Sequence, residues 1–449
     1  MKYYVLLMLL WLLMFGIDGM SQPLLRKALI GIYASEQKGV VVIDSILKES
    51  TAAILQLQKS YTLLNFQGKS VKSSSEFHLI ANEIRENESV YIQYKRGQKT
   101  SYAKGKAKGK PYYQTDWAEV IYQSLPAIGC TLRSIIYKPI HKTNTPGIFF
   151  IPGYNCSSIE NYASHFNGKM IEGWVKEGYT VYTVEKSGMG DSRGCLPCVD
   201  VDLQTDISLF ETAYHDFSSL PFVNPHNLFI WGHSMGGIIA PLIVHEKPCK
   251  GIMVFGTVFR PWSEFLLEMH RVQKPLLDSL SYEDTEEFIR LIQKVYFEFF
   301  VLKKSPAALH KNPAYTKMVE TELEYKEGKN EMWGRHWRFW QQLDSINLAK
   351  AWQAIDCNVL VFHGESDFIQ CSALEPFLIV KAVNSKHPGK AKLITIPELD
   401  HLLMHSKDFT EAAKNMNHKE YLKGNFDARL LNESIQWIHG LIKQNTFNK

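Results

Sequence analysis

Residues 228–240 read LFIWGHSMGGIIA: an apolar run, the step Gly232-His233-Ser234-Met235-Gly236, then a second apolar run. The pattern constrains the fold, because a serine between two glycines at a strand-to-helix corner needs a sheet beneath it and a helix behind it. Gly232 and Gly236 leave room for that corner where larger side chains would clash. The corner lifts the Ser234 hydroxyl above the sheet and leaves the Met235 N–H free at the helix start. Glycine and serine are common, so the step takes its meaning from its flanks.

Those flanks alternate between strand and helix signals. Gly147–Ile151 (GIFFI), Thr180–Val184, Leu228–Trp231, Gly251–Phe255, Val359–Phe362 and Leu393–Ile396 are short apolar runs suited to buried parallel strands. Glu119–Tyr122 and Thr131–Tyr137 suit an opening hairpin. Periodicity predicts helices over Phe166–Glu177, Leu203–Phe217, Ile238–His245 and Glu433–Ile442. The expected fold class is therefore α/β, a mainly parallel sheet covered on both faces. One connection breaks the rhythm: about a hundred residues separate Phe255 from Cys357, far beyond ordinary loops. Its segments PWSEFLLEMH, YEDTEEFIRLIQKVYFEFF and WGRHWRFWQQLD predict a helical cap at about 258–350. Trp333, His336, Trp337, Phe339 and Trp340 are candidates to line a pocket there, although aromatics at helical spacing are more often core.

Serine is a weak nucleophile and needs a base held by a carboxylate. After Ser234 the chain offers VLVFHGESDF, an apolar strand ending in a loop with Asp367, and then LITIPELDHLL, another strand and a loop with His401. Strand-end loops are where open sheets carry their ligands and chemistry. Ser234, Asp367 and His401 are thus the candidate nucleophile, orienting acid and base. His405 is an alternative base and Glu365 an alternative acid. His363 reads as structural, Asp400 is too close along the chain to serve its neighbour, and the His233 side chain is expected to point away. An oxyanion needs two donors: the Met235 N–H, and the Tyr154 N–H in the loop Pro152-Gly153-Tyr154-Asn155 after GIFFI.

The remaining features bound the setting. The chain has 449 residues, 45% hydrophobic and 21% charged, with a net charge of +4. That is a globular balance with no nucleic-acid signature. Residues 1–21 combine Lys2, an apolar stretch from Tyr3 to Ile17, and small residues Gly19 and Ser21. This fits a secretory signal peptide and an exported, periplasmic or extracellular, protein; an uncleaved membrane anchor is the alternative. Seven cysteines follow, an odd number, so at least one is a free thiol. Cys195-Leu196-Pro197-Cys198 lacks the surroundings of a redox motif and the second ligand pair of a zinc site, which leaves a structural disulfide or buried thiols.

Residues 23–110 form a separate compositional unit. GVVVIDSILKESTAA reads as strand, turn and helix start, LLNFQGKSVKSSSEF as strand, turn and helix, and Ser89–Tyr94 as a strand before the turn at Arg96–Lys99. Lys104, Lys106, Lys108 and Lys110 read as a solvated last strand and linker. The unit resembles a bacterial-type PDZ domain, a small α+β fold. Ala28–Ile32 falls at the family's carboxylate-binding loop, while Lys59-Ser60 and Gln67 depart from its pattern. The resemblance implies either a peptide ligand or a degenerate domain that only packs.

From about residue 117 to 449 the chain resembles an α/β-hydrolase with a helical cap. Gly188, Gly190 and Ser192 match that family's G-x-G-x-S loop, and Pro152-Gly153 stands where His-Gly is usual. The whole chain resembles exported bacterial α/β-hydrolases with an N-terminal PDZ-like domain. This implies a serine hydrolase that cleaves carboxylic esters through an acyl-serine, with no metal or organic cofactor and a small-molecule ester or short peptide as substrate. A serine peptidase acting on short peptides, and a non-catalytic binding protein on the same scaffold, are the alternatives. In that fold the strands preceding Cys156 and Cys198 are neighbours, so the resemblance also implies a Cys156–Cys198 disulfide.

Overall fold

The computed structural model describes residues 23–245 and 247–447; the signal segment expected at 1–21 lies outside them. The chain divides between Tyr113 and Gln114 into two compact units.

The first unit is a sheet in the order β1 (Ile32–Gln37), β2 (Val40–Ile46), β3 (Thr62–Phe66), β5 (Ser89–Arg96), β6 (Lys99–Lys106), with β4 (Lys69–Ser70) paired to β3. Alternation decides its inner face: Val41 and Ile43 of β2 are buried, whereas Val40 is exposed. Helix Ser74–Glu83 starts where the Ser73 side chain accepts the Glu76 N–H, and it buries Phe77 and Ala81, four apart on one stripe. Phe66 and Phe77 meet edge to face at 4.9 Å. Helix Thr51–Ile54 is capped by Ser50. Lys104 and Lys106 face solvent from β6.

The second unit carries an eight-stranded sheet. Its strands are β7 (Glu119–Ala127), β8 (Cys130–Lys138), β9 (Thr145–Ile151), β10 (Thr180–Val184), β11 (Val223–His233), β12 (Gly251–Phe255), β15 (Asn358–Gly364) and β16 (Ala391–Ile396). In space they run β16-β15-β12-β11-β9-β10-β8-β7. All are parallel from β10 to β16, and the antiparallel β7–β8 hairpin closes one edge. The apolar runs are buried on both faces because helices cover both. Phe149 packs against Tyr214 and Phe217 of helix Leu203–Ser218, while its neighbour Phe150 packs against Trp174 of helix Phe166–Lys176. Trp174 Nε1 donates to Ser434 of helix Arg429–Phe447 at 2.9 Å. The strand after β9 lies on one side of it and β11 on the other, so the crevice of this fold opens beyond the carboxyl ends of β9 and β11.

Two expectations need correction. The helix placed at Ile238–His245 instead runs Met235–Ile239 and tightens into a 3₁₀ turn at Ala240–Leu242. Pro241 has no N–H to continue the ladder, and its ring crowds the preceding turn. The span between β12 and β15 is mainly helical but also holds a hairpin, β13 (Glu331–Met332) with β14 (Arg335–His336), turned by Trp333 and Gly334 at positive φ. Its longest helices are Trp262–Leu277 and Tyr282–Tyr296; the second buries Ile289, Ile292 and Tyr296 on one stripe.

Candidate active site

Ser234 follows β11 with φ 55° and ψ −120°, a conformation that a non-glycine residue adopts only when its surroundings enforce it. The enforcement is visible. A Cβ on Gly232 would sit 2.6 Å from the Gly236 carbonyl oxygen, and one on Gly236 would sit 2.1 Å from Ile151 O. Both glycines therefore let the elbow close onto itself and onto the end of β9. The Ser234 N–H donates to Phe255 O at 2.8 Å, which ties the elbow to β12. Met235 is the first helical residue, where N–H groups lack an intrahelical acceptor.

The loops after β15 and β16 bring Asp367 and His401 together. His401 Nδ1–H donates to Asp367 Oδ2 at 2.8 Å, and Asp367 Oδ1 accepts the N–H groups of Ile369 and Gln370 at 3.0 and 2.8 Å. Burial alone would raise the Asp367 carboxyl, but the charge and hydrogen bond of His401, with the Gln370 N–H, hold it below the usual carboxylate range. Burial likewise opposes a charged His401, yet Asp367, helped by Asp400, raises the imidazole above its ordinary value. Asp400 is spent on its own loop: it accepts from the N–H groups of Leu402 and Met404 and from Ser406 Oγ. Glu365 is exposed, His405 is more than half exposed beside Glu398 and Asp427, and His363 bonds Gln370, so none of these reaches the site.

Ser234, His401, Gly153 and Tyr154 line one cavity of about 500 Å³. Ser234 Oγ makes no hydrogen bond among the described residues; in unliganded sites this bond often forms only with substrate. A second cavity of about 350 Å³ opens from Ser234, Met235 and Tyr154 under the cap, between Trp262, Trp333 and Trp340. Of the cap aromatics named from sequence, Trp333 and Trp340 line it. Phe339 is core beneath the Arg335 guanidinium, and His336 and Trp337 line neither cavity.

Sequence reading missed two contacts. The His233 side chain does not point away: its Nε2–H donates to His401 O at 2.9 Å, and burial pushes its imidazole down to about 3, so it stays neutral. Gly256, at φ 63°, leaves the space for the His401 ring; a Cβ there would be 2.7 Å from His401 Cε1 and 3.2 Å from Asp367 Oδ2. A glycine directly after an apolar strand was the only available signal.

The G-x-G-x-S loop packs against the segment that follows β9. Gly190, at φ 51°, makes way for Glu185, which accepts from Ser158 Oγ and from the Ile159 N–H at 3.1 Å. Burial raises Glu185 to about 8, against those hydrogen bonds. Asp191 pairs with Arg133 at 3.2 Å, both buried. Cys156 and Cys198 form a disulfide with Cα atoms 5.7 Å apart. Cys195 pairs with Cys130, not with Cys198, so the C-x-x-C spacing serves two separate bridges. Cys249, Cys357 and Cys371 are free thiols.

The model of the serine aminopeptidase S33 family, Hydrolase_4, matches residues 159–408. The chain belongs to that family. The matched span begins just after the Pro152–Asn155 loop and runs through the elbow and cap to the His401 loop. With the sheet order it makes the second unit an α/β-hydrolase fold. Over 112 residues the chain is 26% identical to a thiohydrolase of Eupenicillium brefeldianum, a match covering 25% of this chain. The chain thus spans about a third, 34%, of that relative's length. An esterase of Pyrococcus furiosus is 13% identical, with a TM-score of 0.43 over 74% of this chain and 96% of that one. The 2-hydroxy-6-oxo-6-phenylhexa-2,4-dienoate hydrolase of Rhodococcus is 16% identical, with a TM-score of 0.40 over 67% and 97%.

Proposed function

We propose that the protein is a serine hydrolase that cleaves carboxylic esters through an acyl-serine intermediate. The observation that supports it most is a serine at positive φ on a strand-end elbow, sharing a cavity with an imidazole whose far nitrogen is bonded to a buried carboxylate. With Nδ1–H given to Asp367, the neutral His401 keeps its lone pair on Nε2. It takes the Ser234 proton as the hydroxyl attacks the ester carbonyl, and returns it to the leaving alcohol. Water, deprotonated by the same nitrogen, then attacks the acyl carbon, and the imidazole returns the proton to Ser234 Oγ as the acid leaves. The N–H groups of Met235 and Tyr154 stabilise the oxyanion in both steps.

Labelling by a fluorophosphonate probe, lost on Ser234→Ala, tests the nucleophile. Ester turnover without labelling at Ser234 would count against it. The family's description as serine aminopeptidases favours a second reading, release of short peptides. Turnover of p-nitrophenyl esters set against aminoacyl and peptide amides separates the two, and thioesters belong in the same panel, given the thiohydrolase relative.

The first unit is read as PDZ-like, and β1 as the strand that a peptide would extend, since it lies at a sheet edge. Export to an oxidising compartment is supported by the two disulfides. Peptide-library binding to the full chain, and N-terminal sequencing of secreted protein, test these readings.

A further inference from the structure

Three successive carbonyls of the loop after β9 are held by buried cations. Lys186, two residues past β10, donates from Nζ to Gly153 O and, at 2.8 Å, to Asn155 O. Arg335, on β14 of the cap, donates from Nη1 to Tyr154 O at 3.0 Å and from Nη2 to Asp206 at 2.8 Å. Lys186 is only 5% exposed, and both of its hydrogen bonds go to this loop and not to a carboxylate. Buried lysines are uncommon unless paired, because water must be stripped from the ammonium. Burial pushes this one down to about 7 against the charge of Asp206, with Arg335 adding to the fall and Glu185 opposing it.

The direction of the contact matters. In a trans peptide the C=O and the following N–H point opposite ways, and no cis bond occurs among the described residues. A Gly153 carbonyl turned toward Lys186 therefore turns the Tyr154 N–H away from it. This peptide lies against the nucleophile: a methyl on Gly153 would be 3.5 Å from Ser234 Cβ. We propose that Lys186 is a positioning residue of the oxyanion hole, fixing the 153–154 peptide so that the Tyr154 N–H faces the reacting carbonyl oxygen. When protonated, its ammonium also stands behind that peptide and favours the developing oxyanion. Arg335 holds the next peptide, so the cap hairpin braces the same loop.

The inference rests on the acyl-serine reading above. Wild type, Lys186→Met and Lys186→Gln are compared on a p-nitrophenyl ester and against two inhibitors. One is a trifluoromethyl ketone, whose serine adduct carries a tetrahedral oxyanion; the other is the matching alcohol, which forms no adduct. Lys186→Met is expected to lower kcat about a hundredfold, the scale of one lost oxyanion donor, with KM nearly unchanged. Ketone affinity should fall in proportion and alcohol affinity should not. Lys186→Gln refills the carbonyl contacts without charge and is expected to lose about tenfold. A folded Lys186→Met protein with wild-type kcat, or with ketone and alcohol affinities falling together, overturns the proposal. If that variant does not melt cooperatively, the Gln variant carries the same criteria. If neither folds, Lys186 holds the fold and the proposal is rejected. A wild type with neither ester turnover nor ketone inhibition sinks the acyl-serine reading itself, whereas a working wild type with unresponsive variants sinks this inference alone.

Discussion

On one side of Ser234 the wall comes from loops at strand ends, and on the other from the cap; the two are held differently. The strand-end wall is dense in polar contacts. Asp367 accepts from His401, Ile369 and Gln370, Asp400 closes the His401 loop, and Ser366 Oγ ties the two loops together by donating to Ser406 O at 2.6 Å. The cap wall is mostly apolar packing: Trp262 stacks on Trp340 at 5.4 Å, Trp340 meets Tyr154 edge to face at 5.4 Å, and Phe265 and Leu266 are buried beside them. Directional bonds fix atoms to within tenths of an ångström, which proton transfer needs; non-directional packing fixes a volume, which substrate selection needs. The strand-end wall should therefore answer to mutation in rate, and the cap wall in preference.

Four experiments can break or sharpen that contrast. Ser234→Ala should cost on the order of a millionfold in ester turnover without loss of fold; a melting curve beside the assay checks both. Asp367→Asn should cost about ten-thousandfold, because the amide cannot hold the imidazole in the tautomer that leaves Nε2 free. A loss nearer tenfold would mean that another group orients His401. The pH profile comes next. His401 acts as a base only when neutral and its pKa is raised, so kcat/KM should fall about tenfold per pH unit on the acid side of a limb lying above the ordinary histidine value. A limb below that value would show that Asp367 does not raise the imidazole, and a profile with no acid limb would break the His401 assignment. The smallest effect belongs to the cap. Trp262→Ala should shift the ratio of kcat/KM for long-chain over short-chain esters by roughly tenfold while fluorophosphonate labelling of Ser234 persists. Loss of labelling would show that the cap wall also holds the nucleophile.

Much of the strand-end wall was legible in the sequence. Ser234, Asp367 and His401 each follow an apolar run, and few residue types can serve in the nucleophile, acid and base roles proposed for them. The supports were not legible. His233 looked idle because its contact is the carbonyl of a residue 168 positions away. Gly256 was one glycine among 28 until His401 was seen to occupy the space beside it. The C-x-x-C of Cys195 and Cys198 left a structural disulfide or buried thiols open; in the fold Cys198 pairs with Cys156, and the Cys130–Cys195 bridge had no signal in the sequence. The run Ile238–His245 kept its apolar character while Pro241 ended the helix, so periodicity misplaced an element that a backbone rule places correctly.

By itself the sequence determined the α/β alternation, the glycine-flanked serine corner, and the chain order of Ser234, Asp367 and His401, the candidates for nucleophile, acid and base. Each is a local demand, of period, of steric room or of residue type, and is written in adjacent letters. Only the tertiary structure decided which histidine meets the carboxylate, which cations hold the carbonyls beside Ser234, and which cap aromatics face the cavity. Those outcomes depend on distances between segments far apart along the chain, set by how two faces of helices and a cap pack onto one sheet, and no local pattern carries that information.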